Sequence, residues 1–186
     1  MFVAADDTDS MRGNCTTYLA TEIVRALTAS GLDLIGPPRL VRLNPAIPWK
    51  TRGNGALVMR FGRGRGTKTL LGQIEDRPLY CYERQTAWEP DPQNLLEMIR
   101  PLVERYHDPV DSDPGIVITA MRPRQAFYWA GVRRVVPRAS VEAELKRIGA
   151  TVFELGCGRG IIGCTCAFPS AVLLSSSLIG NFCRER

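Results

Sequence analysis

Within ten residues of the amino terminus the apolar run Phe2-Val3-Ala4-Ala5 breaks into Asp6-Asp7-Thr8-Asp9-Ser10, and Gly13-Asn14-Cys15-Thr16-Thr17 follows. That order reads as strand, acidic loop, helix. A strand end beside a helix start gathers backbone N–H donors next to hard carboxylate oxygens, the two kinds of group that magnesium and a nucleotide phosphate require. An acidic turn that merely caps the helix, with Ser10 or Thr16 as N-cap, satisfies the same pattern.

The 186 residues, 45% apolar and 23% charged, suffice for one domain with a sizeable core. A net charge of +5 suits an anionic partner such as a nucleotide or RNA without singling one out. Six cysteines occur with no C-x-x-C pair, no cleavable signal precedes them, and the first ten residues carry three aspartates; a reducing cytoplasm is expected. His107 is the only histidine, which disfavours a structural zinc site and histidine-based triads. The longest uncharged stretch, from Gly160 to Cys183, is broken by serines, Pro169 and glycines, so a soluble chain with no membrane partner is expected.

Along the chain, Leu19, Ile23, Val24 and Leu27 recur at helical spacing and Gly31 stands where a C-terminal cap belongs. Arg39 to Leu43 reads as a strand that ends in the loop Asn44 to Gly55, long, cationic and stiffened by Pro45 and Pro48, before a second strand from Ala56 to Phe61. Gly62-Arg63-Gly64-Arg65-Gly66-Thr67-Lys68-Thr69 superficially resembles a P-loop, but threonine precedes the lysine where glycine is needed, so it reads as a flexible basic turn. A helix is expected over residues 92 to 107, a strand over Ile116 to Ala120, a helix over 140 to 149, and a strand over Thr151 to Leu155. Asp111-Ser112-Asp113-Pro114-Gly115 repeats an acidic turn beside a strand, and two such loops can converge on one site; a plain Asp-Pro-Gly turn is the alternative.

Val152 to Gly160, with Gly156-Cys157-Gly158-Arg159-Gly160, is similar to the first motif of S-adenosylmethionine methyltransferases, yet only 26 residues follow Gly160, too few for the further strand and helix units those enzymes need. A glycine turn with an arginine can instead hold nucleotide phosphates, or let two backbones approach closely.

Four blocks together resemble the archaeal tRNA-isoleucine agmatinylcytidine synthetases: Asp6 to Ser10 with Cys15-Thr16-Thr17, Arg42 to Gly55, Asp113-Pro114-Gly115, and Gly158 to Gly163. The resemblance covers residues 1 to about 168. It implies an ATP-dependent enzyme that phosphorylates the wobble cytidine of an isoleucine tRNA and joins agmatine to it, with ATP and Mg2+ as cofactors. It also implies an α/β fold, α+β being the alternative, with a mixed β-sheet flanked by helices as a kinase-like catalytic domain. Carried over by position, Asp6, Asp7 and Asp9 would hold magnesium, with Asp7, Asp9 and Thr16 catalytic. Lys50 and Arg52 are expected to contact phosphate or RNA, and Gly158, Arg159 and Gly160 the nucleotide.

Gly13-Asn14 and Cys164-Thr165-Cys166 depart from the family pattern. Family members continue into further domains that handle agmatine and tRNA, whereas residues 169 to 186 match nothing in them. The expectation is a kinase-like domain over 1–168 and an atypical tail over 169–186, as in a truncated or frameshifted product. A nucleotide- or RNA-binding module without its own turnover is the second reading, a methyltransferase the third.

Overall fold

In the computed structural model, which describes residues 1–169, the centre of the molecule is a strand buried on both faces. β1 (Phe2–Asp6) pairs antiparallel with β4 (Gly55–Gly62) on one side and β7 (Gly115–Thr119) on the other. Alternate side chains of such a strand point to opposite faces. Val3 and Ala5 therefore join one core with Leu19, Ile23 and Leu27 of α1 (Thr16–Ala29) and Leu95 and Ile99 of α2 (Pro92–Tyr106). Ala4 joins a second core with Val141 and Leu145 of α4 (Arg138–Arg147) and Ile161, Cys164 and Cys166 of α5 (Gly160–Ala167).

The remaining elements extend this layer into an eight-stranded mixed sheet. β3 (Arg39–Arg42) and β2 (Asp33–Ile35) both run antiparallel to β4, and β2 pairs parallel with β6 (Arg77–Gln85). β5 (Gly64–Ile74) closes one edge against β6, and β8 (Thr151–Glu154) the other against β7. With α3 (Gln125–Arg133) on the α4–α5 side, helices cover both faces, as the α/β reading requires.

The helix and strand expectations built on strong periodicity hold, but their details change. Neither Ser10 nor Thr16 is the N-cap of α1: Cys15 is, its Sγ accepting from the Tyr18 N–H at 3.4 Å. Ser10 instead donates to Asp108 at 2.6 Å. Asp91 caps α2 through the N–H groups of Gln93 and Asn94, and Pro92 occupies the first turn, where its missing N–H costs nothing. The basic stretch Gly62 to Thr69 is not a flexible turn: most of it forms β5, an exposed edge strand with two register shifts against β6. Its glycines are structural, because a Cβ at Gly64 would overlap the Tyr82 ring. The tail expected from residue 169 lies, apart from Pro169, outside the described residues.

Candidate functional site

β1 carries Asp6 at its carboxyl end with Asp7 just beyond, and the chain leaves the strand with Asp7 at φ 54°, a left-handed conformation that aspartate tolerates at some cost. The neighbouring loops converge there. Thr51 donates to the carbonyl oxygens of Asp9 and Asp111, both at 3.4 Å, and Arg52 Nη2 to the Ser10 carbonyl at 2.9 Å. Asp111 accepts from the Met11 N–H at 3.2 Å, and Asp108 pairs with Arg12. The two acidic turns and the 44–55 loop are thus one tied unit, and the loop is held at its root by Asn44 N–H to the Gly131 carbonyl at 3.0 Å.

Between that unit and the α3–α5 layer lies a cavity of about 350 Å³. Asp6, Asp7, Asp9, Thr16, Lys50, Arg52 and Arg159 all line it. Gly158 and Gly160 do not: a Cβ at Gly160 would overlap the backbone of Gly115 and stand 2.7 Å from the Asp6 carbonyl, and one at Gly158 would meet Glu154 and Arg138. These glycines let backbone and side chains approach closely, the second of the two uses the sequence allows. β8 is moreover an antiparallel edge strand, so the glycine turn that follows it is not the strand-to-helix turn of a parallel sheet that a methyltransferase needs.

The three aspartates that line the cavity have unlike surroundings. Burial pushes Asp6 up to about 7, with only the Asp7 N–H, at 2.8 Å, favouring its charge, and Asp7 and Asp9 opposing it. Burial raises Asp7 to about 6 against the pull of Arg159, whose Nε lies 3.7 Å away. Asp9 Oδ1 accepts from the Thr16 N–H at 2.6 Å and its hydroxyl at 3.0 Å, while Thr16 itself accepts from Thr8. Thr16 is therefore an enclosed group that holds Asp9, and Thr17 beside it is exposed.

Asp113, behind the lining, organises the glycine turn that carries Arg159. Burial pushes its pKa up, but the Cys157 thiol and N–H, and then Arg159, outweigh burial and hold it below the ordinary value. Gly156, at φ 64°, makes that grip feasible, since a Cβ there would overlap the Asp113 carboxylate. Asp113 holds Arg159 at the cavity between itself and Asp7, and the Arg159 Nε there is buried with no hydrogen-bond partner. Lys50 on the other side is exposed and forms no ion pair among the described residues.

Asp6, Asp7 and Asp9 do not form a three-carboxylate cage. Among the described residues no group of three His, Cys, Asp or Glu side chains is placed to hold a metal ion. Magnesium usually takes only one or two carboxylates together with phosphate oxygens and water. Asp7 and Asp9 fit that donor set; Asp6, enclosed against Gly163, does not. Sequence reasoning misses Trp49, Arg134, Val136 and Arg138, although all four line the cavity. Trp49 stands in the cationic loop as a large exposed apolar residue, a signal that could have found it; the other three follow a helix that periodicity does not reveal.

Among the described residues no helix is long and apolar enough to cross a membrane, and the five described cysteines are free thiols. The family model described as the TiaS TCKD domain matches residues 2–157. The isoleucine-tRNA 2-agmatinylcytidine synthetase TiaS of Thermoplasma volcanium is 41% identical over 166 residues, covering 88% of this chain and 37% of that protein. The same-named protein of Pyrococcus horikoshii is 32% identical over 88% of this chain and 34% of its own length. Among solved structures, the complex of TiaS with isoleucine tRNA and ATP superposes with a TM-score of 0.70 at 27% identity, covering 90% of this chain and 35% of that one. The chain thus spans about a third of the length of the curated relatives it matches, and with the family model aligned over most of its residues it belongs to the TiaS TCKD domain family.

Proposed function

We propose that residues 1–168 are the ATP-binding, kinase-like portion of a ligase that phosphorylates the wobble cytidine of an isoleucine tRNA and joins agmatine to it. The observation that carries this reading is the shared cavity, which brings together Asp7, Asp9 and Arg159, whose buried Nε has no hydrogen-bond partner, with Lys50 and Arg52 of the cationic loop. Phosphoryl transfer relies on positioned cations and carboxylates more than on acid–base side chains, and a carbonyl oxygen leaves only once phosphorylated. A chain with one histidine suits such chemistry. The names of the relatives, and a solved TiaS complex that holds isoleucine tRNA and ATP, support the assignment.

In this reading Arg159 and Lys50 contact phosphate oxygens from opposite sides, and Arg52 holds the acidic loop through Ser10. Asp7 and Asp9 would hold Mg2+, which when bound supplies charge neutralisation at the phosphates. Thr16 acts by fixing the Asp9 carboxylate. Burial lifts the Asp6 carboxyl to about 7, so it keeps its proton below neutral pH, and its Oδ1 supports the turn by accepting from the Asp7 N–H.

The test is calorimetric titration of the chain with ATP and Mg2+. Binding should vanish in Asp9→Asn and with a chelator, and persist in Asp6→Asn. Retained affinity in both Asp7→Asn and Asp9→Asn sinks the site assignment. A chain that binds ATP but transfers no agmatine to tRNA favours the module without turnover, which its span of a third of the relatives' length also favours.

A further inference from the structure

The sequence between Asp113 and Glu142 contains five arginines and no acidic residue. The structure arranges part of this charge with two arginines from elsewhere in the chain. At the amino-terminal end of β1, Arg60 and Arg122 place their guanidiniums 5.0 and 4.7 Å from the centre of the Phe2 ring. Arg39 is close enough that it and Arg60 both depress the Arg122 pKa, behind the larger effect of burial. None of the three pairs with a carboxylate among the described residues. Arg39 Nη1 and Arg60 Nε are buried and without a hydrogen-bond partner.

Three like charges, two of them with an orphaned donor, are costly unless an anion neutralises the cluster. α3 begins three residues after Arg122 and runs toward the cavity, which Gly131 and Arg134 line at its far end. Its nine residues span about 13 Å at 1.5 Å per residue. Midway, Trp129 is 45% exposed, with the Arg133 guanidinium 5.1 Å from its ring. The face is cationic at the β1 amino end, and its other end meets the cavity, which aspartates and cations line together.

We propose that this face, from Arg39, Arg60 and Arg122 past Trp129 to Arg134, is the track of a single-stranded RNA segment whose backbone phosphates neutralise the arginine cluster at the solvent-facing parts of its guanidiniums while a base stacks on Trp129. Alternating phosphates and bases require alternating cations and an aromatic platform, and single-stranded RNA is the polyanion that uses both. An acidic peptide would use the arginines and leave the indole idle. The proposal rests on the tRNA reading above for direction only: the strand would lead its target base into the cavity.

The test is fluorescence anisotropy of the chain with a fluorescein-labelled, unstructured seven-nucleotide RNA across a salt series. The combined variant Arg39→Gln, Arg60→Gln, Arg122→Gln should bind at least about tenfold more weakly. It should also lower the slope of log affinity against log salt by about 2, since each phosphate contact on a single strand contributes about 0.7. Trp129→Ala should cost about fivefold or more with no change in slope. ATP affinity should be unchanged in both, so loss of ATP binding in the parent chain counts against the cavity and not against the track.

Because the triple variant removes cations packed on Phe2, a second measurement uses the unaltered chain: ultraviolet crosslinking to the same RNA carrying 5-iodouridine should label the peptide that contains Trp129. An unchanged affinity and slope in a folded triple variant overturns the proposal. So does crosslinking confined to the β5–β6 hairpin, displacement of the RNA by polyglutamate at equal charge, or no RNA binding by a chain that binds ATP.

Discussion

Asp6 and Glu144 are both enclosed carboxylates, at 9% and 0% exposure, and the protein treats them in opposite ways. Glu144, on α4, accepts from the Arg124 N–H at 2.8 Å and Nε at 2.9 Å and from Arg147 Nε at 2.9 Å and Nη2 at 2.7 Å. The Arg147 hydrogen bonds and then those from Arg124 outweigh burial and hold it down at about 2. Asp6 has one backbone donor and no cation, and burial lifts it to about 7. A buried charge that serves architecture is given its partners inside the fold; one at the rim of a cavity is left without them. Burial alone therefore says nothing about role, whereas burial without compensation marks where the molecule gives up stability.

The sharpest test of this contrast is Glu144→Ala. Removing a fully hydrogen-bonded enclosed carboxylate should cost about 2–3 kcal/mol in urea unfolding at pH 7. A loss below about 1 kcal/mol would mean that Arg124 and Arg147, 65% and 43% exposed, are as well satisfied by water and that the pairing is incidental.

Asp6→Asn should move in the other direction. The folded state holds the Asp6 proton up to about pH 7, whereas the ordinary value is 3.8. Stability from this group is full below about pH 4 and is lost as pH rises through 7. At pH 8 the variant should be more stable than the parent by up to about 4 kcal/mol, with little difference at pH 4. Equal stabilities at both pH values would show that Asp6 is hydrated and the contrast false.

Gly163→Ala probes the same pocket from α5, since the added Cβ would overlap the Asp6 carboxylate. It should cost about 1–2 kcal/mol at pH 5 and flatten the dependence between pH 4 and 7 as Asp6 is driven toward water. An unchanged dependence would place the Asp6 proton under other control. The smallest effect belongs to Glu144→Gln, at about 1 kcal/mol, because the amide keeps one acceptor for the two arginines. A cost equal to that of the alanine variant would mean that charge, not hydrogen bonding, holds α4 to Arg124.

The central strands and the helices α1, α2 and α4 are legible in the sequence because burial on a fixed face imprints a period on it. β5 and β6 are not, because an exposed edge hairpin with glycines at 64, 66 and 72 imposes no such period. β2 has only three residues, and α3 has Gly131 as its one buried residue, so neither carries a readable stripe. At the site, the acidic cluster and the cationic loop are visible as residue types. The division of labour among Asp6, Asp7 and Asp9 is not, since it depends on contacts with Arg159, Thr16 and Gly163, which lie 7 to 157 positions away in the chain. The glycines around Arg159 read as cofactor contacts because a turn that admits a phosphate and one that admits Gly115 need the same absence of Cβ.

Sequence alone determined that the first strand turns acidic at its end and that the segments of α1, α2 and α4 become helices, because hydrophobic period and loop chemistry are local properties. Tertiary structure alone decided which carboxylate keeps its proton, which arginine is aimed and which is spare. Solvation and pairing at a point are set by every element that reaches it, and β1, α1, α5 and the loops near Asp9 and Asp113 meet only when the sheet has formed.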